Sequence, residues 1–129
     1  MNEIPGDLRF LKSHEWARLE DDGTVTVGIS DFAQGQLGDL VYVEVPAEGD
    51  SVEAGSACAV VESVKAASDV YAPIAGEVVA INESLKGKPE SINADAFAAW
   101  MFRLKPVNAG DVGALLDAAG YEAAIAANK

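Results

Sequence analysis

The sequence predicts a mainly β protein, a barrel or sandwich of short strands that carries short helices. Three observations predict this fold class. Apolar residues form short strand-like stretches, glycine and proline separate these stretches at regular spacing, and one turn–strand–turn pattern occurs twice. The 129 residues match the usual size of one domain, so we expect residues 1–129 to form a single domain.

The first clear strand is Thr24–Ile29, in which every second residue is branched and apolar. Asp21-Asp22-Gly23, just before it, is typical of a turn. The stretch before that turn, Phe10–Leu19, is the natural partner in sequence. We therefore predict a hairpin formed by Phe10–Leu19 and Thr24–Ile29.

A short helix is predicted next. Ser30 and Asp31 can cap its start, the helix runs to about Leu37, and Gly38 ends it. The strands that follow are predicted from short apolar stretches bounded by turn residues: Leu40–Val45, Ala57–Val61 (a buried strand), Asp69–Tyr71, Glu77–Ile81 and Trp100–Leu104. The last part, residues 111–127, is rich in alanine and leucine and is predicted as a helical segment broken at Gly120.

An internal repeat relates two of these strands. Gly38–Glu44 resembles Gly76–Asn82 at an offset of 38 residues, and the same offset places Gly49 on Gly87. Two copies suggest two half-sheets related by a pseudo-two-fold axis, although any two strands flanked by glycines share such a pattern by chance. If the halves are symmetric, residues 58–71 form a hairpin with Lys65 near its tip. A lysine on a tight turn is a suitable place to attach a mobile arm.

The formal net charge of −12 and the sequence pI of about 4.2 exclude several classes of partner. Such a surface repels the phosphates of nucleic acids and anionic membranes, so we expect protein partners and a monomer. A single cysteine excludes an intramolecular disulfide. The first residues lack the pattern of a targeting peptide, and no apolar run is long enough to span a bilayer. We expect a cytoplasmic chain.

Several motifs resemble the glycine cleavage H-protein family. Val61-Glu62-Ser63-Val64-Lys65-Ala66 is similar to its lipoyl-attachment segment, and the similarity continues through residues 68–78. It also includes Ser13-His14-Glu15-Trp16 and Gln36-Leu37-Gly38-Asp39, and it extends from about Leu8 to Tyr121. One departure is Ala98-Ala99 before Trp100, where the family usually has glycines, which leaves the conformation of this loop open.

The resemblance implies a flattened β-barrel/sandwich hybrid in a bacterial protein that is a carrier and not an enzyme. Lys65 would carry lipoic acid on its ε-amine. The arm would accept an aminomethyl group from glycine at a pyridoxal-phosphate glycine decarboxylase and present it to a tetrahydrofolate-dependent aminomethyltransferase. A flavin-dependent dihydrolipoyl dehydrogenase would reoxidise it, and a lipoylating enzyme would attach it. The cofactor supplies the chemistry and the protein positions it.

The resemblance also implies contacts for the arm. A loaded arm would carry a protonated amine, and Ser13, Glu15 and Asp69 are the candidates to bind it. Folding that arm into a cleft would limit hydrolysis, because water would be excluded. Glu62, three residues before Lys65, is the candidate for recognition by the lipoylating enzyme.

Other readings of the same residues are weaker. A Cys58–His14 nucleophile pair would make a hydrolase, but no third residue is placed to orient it. Because Cys58 lies in an apolar run, we expect a buried structural thiol. His14-Glu15 begins like a zinc-protease motif, yet Arg18 stands where the second histidine is needed, so no metal site is expected.

One carrier alternative and one non-carrier alternative also stay open. A biotin carrier is disfavoured, because it would have methionine on both sides of the lysine, where this chain has Val64 and Ala66. A lipoyl domain of a 2-oxoacid dehydrogenase usually belongs to a larger chain. A passive interaction module would leave Lys65 unmodified.

Overall fold

A computed structural model describes residues 8–11 and 13–127. Its strands form two sheets, which confirms the mainly β prediction. The strands are β1 (Arg9–Phe10), β2 (Glu15–Leu19), β3 (Val25–Ile29), β4 (Leu40–Glu44), β5 (Ser51–Val52), β6 (Ala57–Ser63), β7 (Ala67–Tyr71), β8 (Gly76–Ile81) and β9 (Phe102–Pro106). The first sheet has six strands in the order β1-β2-β3-β9-β8-β5, and the second has three in the order β4-β6-β7.

The predicted first hairpin is present as β2 and β3, which pair in antiparallel register from Glu15–Ile29 to Leu19–Val25. Its first arm is not continuous from Phe10, however. The chain makes a tight turn in which His14 N–H donates to the Leu11 carbonyl at 3.0 Å and Leu11 N–H donates to the Glu15 carbonyl at 3.0 Å. The prediction of one strand was wrong here because this turn has no glycine or proline to indicate it.

The three-stranded sheet presents one face to the core and one to solvent. In β6, Ala59, Val61 and Ser63 are buried, whereas the residues between them are half-exposed. The prediction of a wholly buried strand was therefore wrong, because β6 alternates and the sheet is covered on one face only. The β6–β7 hairpin spans residues 57–71, close to the 58–71 that the sequence predicted.

The two strands of the internal repeat, β4 and β8, share an irregularity in their pairing. The β4–β6 ladder shifts register between Leu40 and Tyr42, and the β8–β9 ladder shifts between Val78 and Ala80. Both shifts lie 38 positions apart in sequence, and the two strands belong to different sheets. The glycines of the repeat differ, since Gly38 adopts φ 84° whereas Gly76 lies in β8.

The helices are short. Helix α1 (Asp31–Leu37) was predicted correctly: the Ser30 side chain accepts from Ala33 N–H, and Gly38 follows its last turn. Helices α2 (Ser84–Gly87) and α3 (Ser91–Ala94) were not predicted, because a four-residue helix shows no apolar period. The C-terminal segment is a 3₁₀ helix (Ala109–Ala114) followed by α4 (Ala118–Ala127).

The predicted break at Gly120 was therefore wrong. Gly120 lies inside α4, where its N–H donates to the Asp117 carboxylate at 2.8 Å. The interruption comes earlier, between residues 114 and 118. Leu116 lies in this interruption and forms an isolated bridge with Phe10.

The apolar faces of both sheets enclose the main core, to which β3, β4, β6, β8 and β9 all contribute. A second cluster lies under α4 and contains Phe10, Trp16 and Tyr121. Trp16 packs so closely on Gly28 that a Cβ there would lie 2.6 Å from the indole ring. Across residues 8–11 and 13–127, no helix has the length and apolar character needed to cross a membrane.

Candidate functional site

Lys65 lies at the tip of the β6–β7 hairpin. Strand β6 ends at Ser63 and β7 begins at Ala67, so three residues form the turn. Ser63 N–H donates to the Ala66 carbonyl at 2.7 Å and closes this turn. All three turn residues are exposed, and Val64 is 80% exposed. The structure therefore places Lys65 where the sequence predicted it, on a short turn open to solvent.

The Ser63 side chain organises this turn from inside. Its hydroxyl oxygen accepts from Lys65 N–H at 3.3 Å and from Ala66 N–H at 3.1 Å, and the hydroxyl faces the Ala66 carbonyl at 3.2 Å. Ser63 is buried because strand alternation directs it inward, with Val61. The site prediction missed Ser63. Ser63 lies two residues after Val61 and two before the lysine, so strand alternation places Val61 and Ser63 on the same buried face. That spacing was the signal that could have identified Ser63.

The lysine stem lies beside the end of α1. A methyl group on Gly38 would stand 3.6 Å from Lys65 Cε and 3.9 Å from Nζ. Gly38 has φ 84°, a conformation that favours glycine. The Gln36–Asp39 motif therefore has a structural meaning, since its glycine ends α1 in a conformation that favours glycine and lies beside the lysine stem.

Ser13 and Glu15 are brought together, and Glu15 also contacts the lysine hairpin. The Ser13 hydroxyl donates to Glu15 Oε1, and Tyr71 N–H donates to Glu15 Oε2 at 2.7 Å. Glu15 is 1% exposed. Burial raises the pKa of its carboxyl group, and the hydrogen bonds from Ser13 and Tyr71 partly oppose that rise.

Asp69 and Glu62 lie on the solvent-facing side of the hairpin. Asp69 is exposed on β7 opposite Val60, and Glu62 is half-exposed on β6 between Tyr42 and Ala67. Asp69 borders a surface groove of about 390 Å³. The groove is lined by residues of β4, β6, β7 and the segment after β4: Glu44, Val45, Pro46, Ala47, Asp50, Ala57, Cys58, Ala59, Val60 and Asp69. Glu44, Asp50 and Asp69 give it an acidic rim.

Cys58 and His14 do not form a nucleophile pair. The Cys58 thiol donates to the Val70 carbonyl at 3.6 Å, and burial raises its pKa to about 12. His14 Nδ1 instead lies 2.8 Å from the Tyr121 hydroxyl, and burial lowers the pKa of the imidazole. A thiol with such a pKa is protonated near neutral pH and is a poor nucleophile. Within the described part of the chain, no three metal-binding side chains come together.

The loop before β9 accommodates alanine. Ala98 N–H and Ala99 N–H both donate to the Asp95 carbonyl, at 3.2 and 3.0 Å. Among the described residues only His14 combines a side chain larger than hydrogen with positive φ. Ala98 and Ala99 thus adopt a backbone conformation that needs no glycine.

Comparisons with known proteins agree with this geometry. The family model described as "Glycine cleavage H-protein" matches residues 8–128. The chain is 65% identical to the glycine cleavage system H protein of Azoarcus sp. (strain BH72), covering 98% of this chain and 99% of that one. It is 63% identical to the H protein of Nitrosospira multiformis, covering 92% of each.

A solved structure is also similar. The crystal structure of a glycine cleavage system H protein from Mycobacterium marinum superposes with a TM-score of 0.88 at 38% identity, covering 95% of this chain and 99% of that chain. This likeness confirms the lipoyl-domain-like barrel-sandwich fold. With the family match over nearly its whole length, the chain belongs to the glycine cleavage system H-protein family.

Proposed function

We propose that this chain is a non-catalytic carrier that bears lipoic acid on Lys65 and shuttles an aminomethyl group within glycine cleavage. The observation that carries the proposal is the position of Lys65, an exposed amine centred on a three-residue turn. The backbone of this turn is fixed by Ser63, so the amine is presented at a defined place while its side chain stays open to an enzyme.

The residues around Lys65 fit an amide-linked arm. Gly38 lies beside the stem, and the neighbouring Val64 and Ala66 are both exposed. Acylation of Nζ would remove one positive charge and make an already acidic protein more acidic. Bound lipoic acid supplies a disulfide that can be reduced and can carry a one-carbon amine. The protein itself displays, shelters and orients that group.

The acidic residues around the hairpin suit a protonated amine. Asp69 is the exposed carboxylate of the three proposed contacts, and the acidic rim of its groove adds Glu44 and Asp50. Ser13 and Glu15 stay in the proposal as a pair, since they already share a hydrogen bond. Glu62 stays the proposed contact for the lipoylating enzyme because it is half-exposed close to the lysine turn.

The proposed partners are those that membership of the H-protein family implies. They are a pyridoxal-phosphate glycine decarboxylase, a tetrahydrofolate-dependent aminomethyltransferase, a flavin-dependent dihydrolipoyl dehydrogenase and a lipoylating enzyme. A tethered group reaches each partner at high effective concentration without release. We propose that the chain works as a monomer, because its net charge of −12 opposes self-association. We further propose that it works in the cytoplasm.

Reduction assays with purified partners test the pathway. Lipoylated protein is incubated with glycine decarboxylase and glycine, and in parallel with the decarboxylase of a 2-oxoacid dehydrogenase and its 2-oxoacid. The proposal predicts glycine-dependent loading of the Lys65 peptide, detected by mass, and no loading in the parallel reaction. Loading only by the 2-oxoacid enzyme would instead make this a 2-oxoacid dehydrogenase carrier. Lys65→Arg is the matched control and loads in neither reaction.

A further inference from the structure

Glu15 is a buried carboxylate at a junction between the two sheets. It begins β2 of the six-stranded sheet, and its Oε2 accepts from the backbone N–H of Tyr71, the last residue of β7 in the three-stranded sheet. Placing an ionisable group in a core costs free energy unless hydrogen bonds compensate it. Both oxygens have a donor, Ser13 on one and Tyr71 on the other. Such an arrangement indicates a specific task for the side chain.

The task is suggested by the position of β7 in its sheet. β7 pairs with β6 on one side and is an edge strand on the other. An edge strand leaves alternate N–H groups without a strand partner. Its first three residues are exposed, so little apolar packing holds this part of the hairpin. The Glu15 carboxylate therefore replaces a neighbouring strand at the end of β7.

The backbone around Glu15 is itself fixed by unusual local structure. His14 adopts φ 81°, a strained conformation for a residue with a side chain. Its carbonyl accepts from Ser30 N–H at 2.8 Å, and its ring lies 2.8 Å from the Tyr121 hydroxyl of α4. Trp16 Nε1–H, on the other side of Glu15, donates to the Ala96 carbonyl at 3.1 Å. Glu15 thus extends from a backbone held on both sides toward the end of β7, a strand whose first three residues are exposed.

We infer that Glu15 is a positioning residue for Lys65: its carboxylate clamps the end of β7 to the start of β2 and so holds the lysine turn in the orientation that modifying and partner enzymes recognise. The inference rests on the proposed function, because the enzymes that read the turn are those of the carrier pathway. It assigns the Ser13-His14-Glu15-Trp16 motif a role in the unmodified protein, separate from any contact with a loaded arm.

Three variants separate the clamp from simple charge loss. Glu15→Ala removes the acceptor of Tyr71 N–H. Glu15→Gln keeps it, because the amide oxygen can accept from Tyr71 while the NH₂ group donates to Ser13. Glu77→Gln removes one exposed strand carboxylate from the six-stranded sheet and serves as the control for charge. Backbone amide exchange by NMR and steady-state kinetics with the lipoylating enzyme are measured on the unlipoylated full chain.

The clamp predicts that Glu15→Ala speeds exchange of the Tyr71 amide by about tenfold, the effect of losing one hydrogen bond to a charged group. The next amide, Ala72, donates to the Ser56 carbonyl at 2.9 Å and should keep its protection. KM of the lipoylating enzyme should rise several-fold in Glu15→Ala with kcat little changed, and Glu15→Gln should restore both readouts. Glu77→Gln should match the wild type.

Several results would overturn the inference. Tyr71 exchange that is unchanged in Glu15→Ala would show that the carboxylate does not hold β7. An unchanged KM, or failure of Glu15→Gln to restore it, would show that the lysine turn does not depend on the clamp. If Glu15→Ala unfolds, the Gln variant still decides, because loss of Tyr71 protection there contradicts the proposal. Wild-type protein that is never lipoylated would refute the proposed function, while the exchange result would still test the clamp.

Discussion

The β2–β3 and β6–β7 hairpins differ in how their tips are supported. In the β2–β3 hairpin, Gly23 adopts φ 88° and the Asp22 carboxylate accepts from Thr24 N–H at 3.0 Å, so local turn chemistry fixes the tip. The β6–β7 hairpin has no glycine at its tip, and the Ser63 hydroxyl fixes the turn instead. One tip is a connection, whereas the other presents a lysine.

The strands behind these tips differ as well. All five residues of β3 are buried, because it lies between β2 and β9 in the sheet and packs on the core. The first three residues of β7 are exposed, and Glu15 holds its end. The comparison teaches that apolar packing extends along the whole of β3, whereas in the hairpin that partner enzymes must reach it stops short of the lysine turn, where polar contacts take over.

The largest expected effect is a loss of stability when Trp16, in β2 of the first hairpin, is replaced. Trp16→Ala should destabilise the protein by about 3–5 kcal/mol, because the fully buried ring packs on Gly28 and fills the cluster beneath α4. Val64→Ala in the lysine turn should change the free energy of unfolding by less than about 0.5 kcal/mol. Urea unfolding measures both. Equal losses in the two variants would contradict the contrast between the hairpins.

A smaller effect is expected from the polar contacts of the two tips. Ser63→Ala should cost about 1 kcal/mol of stability, because it removes the acceptor for Lys65 N–H and Ala66 N–H. It should also slow lipoylation of Lys65. Asp22→Ala removes the corresponding acceptor from the other tip and should leave lipoylation at the wild-type rate. Lipoylation that is equally fast in both variants would show that the turn geometry is not recognised.

Local features of the fold could be predicted from sequence, and long-range ones could not. Helix α1 was predicted at both ends because Ser30 and Gly38 are standard cap residues. The β4 and β8 strands were found from alternating or apolar stretches, but β5, with two residues, is too short to show a pattern. Strand β9 begins two residues later than predicted, since the Trp100 backbone belongs to the preceding loop.

In the candidate site, too, local features could be predicted from sequence and long-range contacts could not. Lys65 was identified from its hairpin and its flanking motif, which are continuous in sequence. The bond between Glu15 and Tyr71 joins residues 56 positions apart, and no local pattern indicates such a contact. Ser13 and Glu15 were predicted as contacts for an amine. The structure adds that the Ser13 hydroxyl donates to Glu15 and that Glu15 also accepts from Tyr71 N–H of β7. The amine contact itself stays a prediction.

The smallest expected effect is a change in the pH dependence of stability. The pKa of Glu15 is raised from its ordinary value of 4.5 by burial, so the folded protein binds this proton more tightly than the unfolded chain does. Stability should therefore decrease as pH rises from about 4.5 to the raised value. Glu15→Gln should flatten this part of the profile, measured by urea unfolding at a series of pH values. Identical profiles of stability against pH in the wild type and in Glu15→Gln would contradict a raised pKa for Glu15.

Other groups that titrate near this pH range are present in both the wild type and Glu15→Gln. Burial lowers the pKa of His14 from 6.5, so its contribution to stability is lost as pH falls from 6.5 to the lowered value. This slope is opposite in sign to that of Glu15. The difference between wild type and Glu15→Gln therefore isolates the carboxyl group, provided that His14 keeps its contact with Tyr121 in both.

The carrier role of Lys65 is tested most directly by the intact mass of the protein made in cells supplied with lipoate, with peptide mapping. The account predicts an increment of the size of a lipoyl group on the Lys65 peptide, which is absent in Lys65→Arg although that variant folds as the wild type does. An unmodified Lys65 in the presence of a competent lipoylating enzyme, or an increment on another lysine, would contradict it.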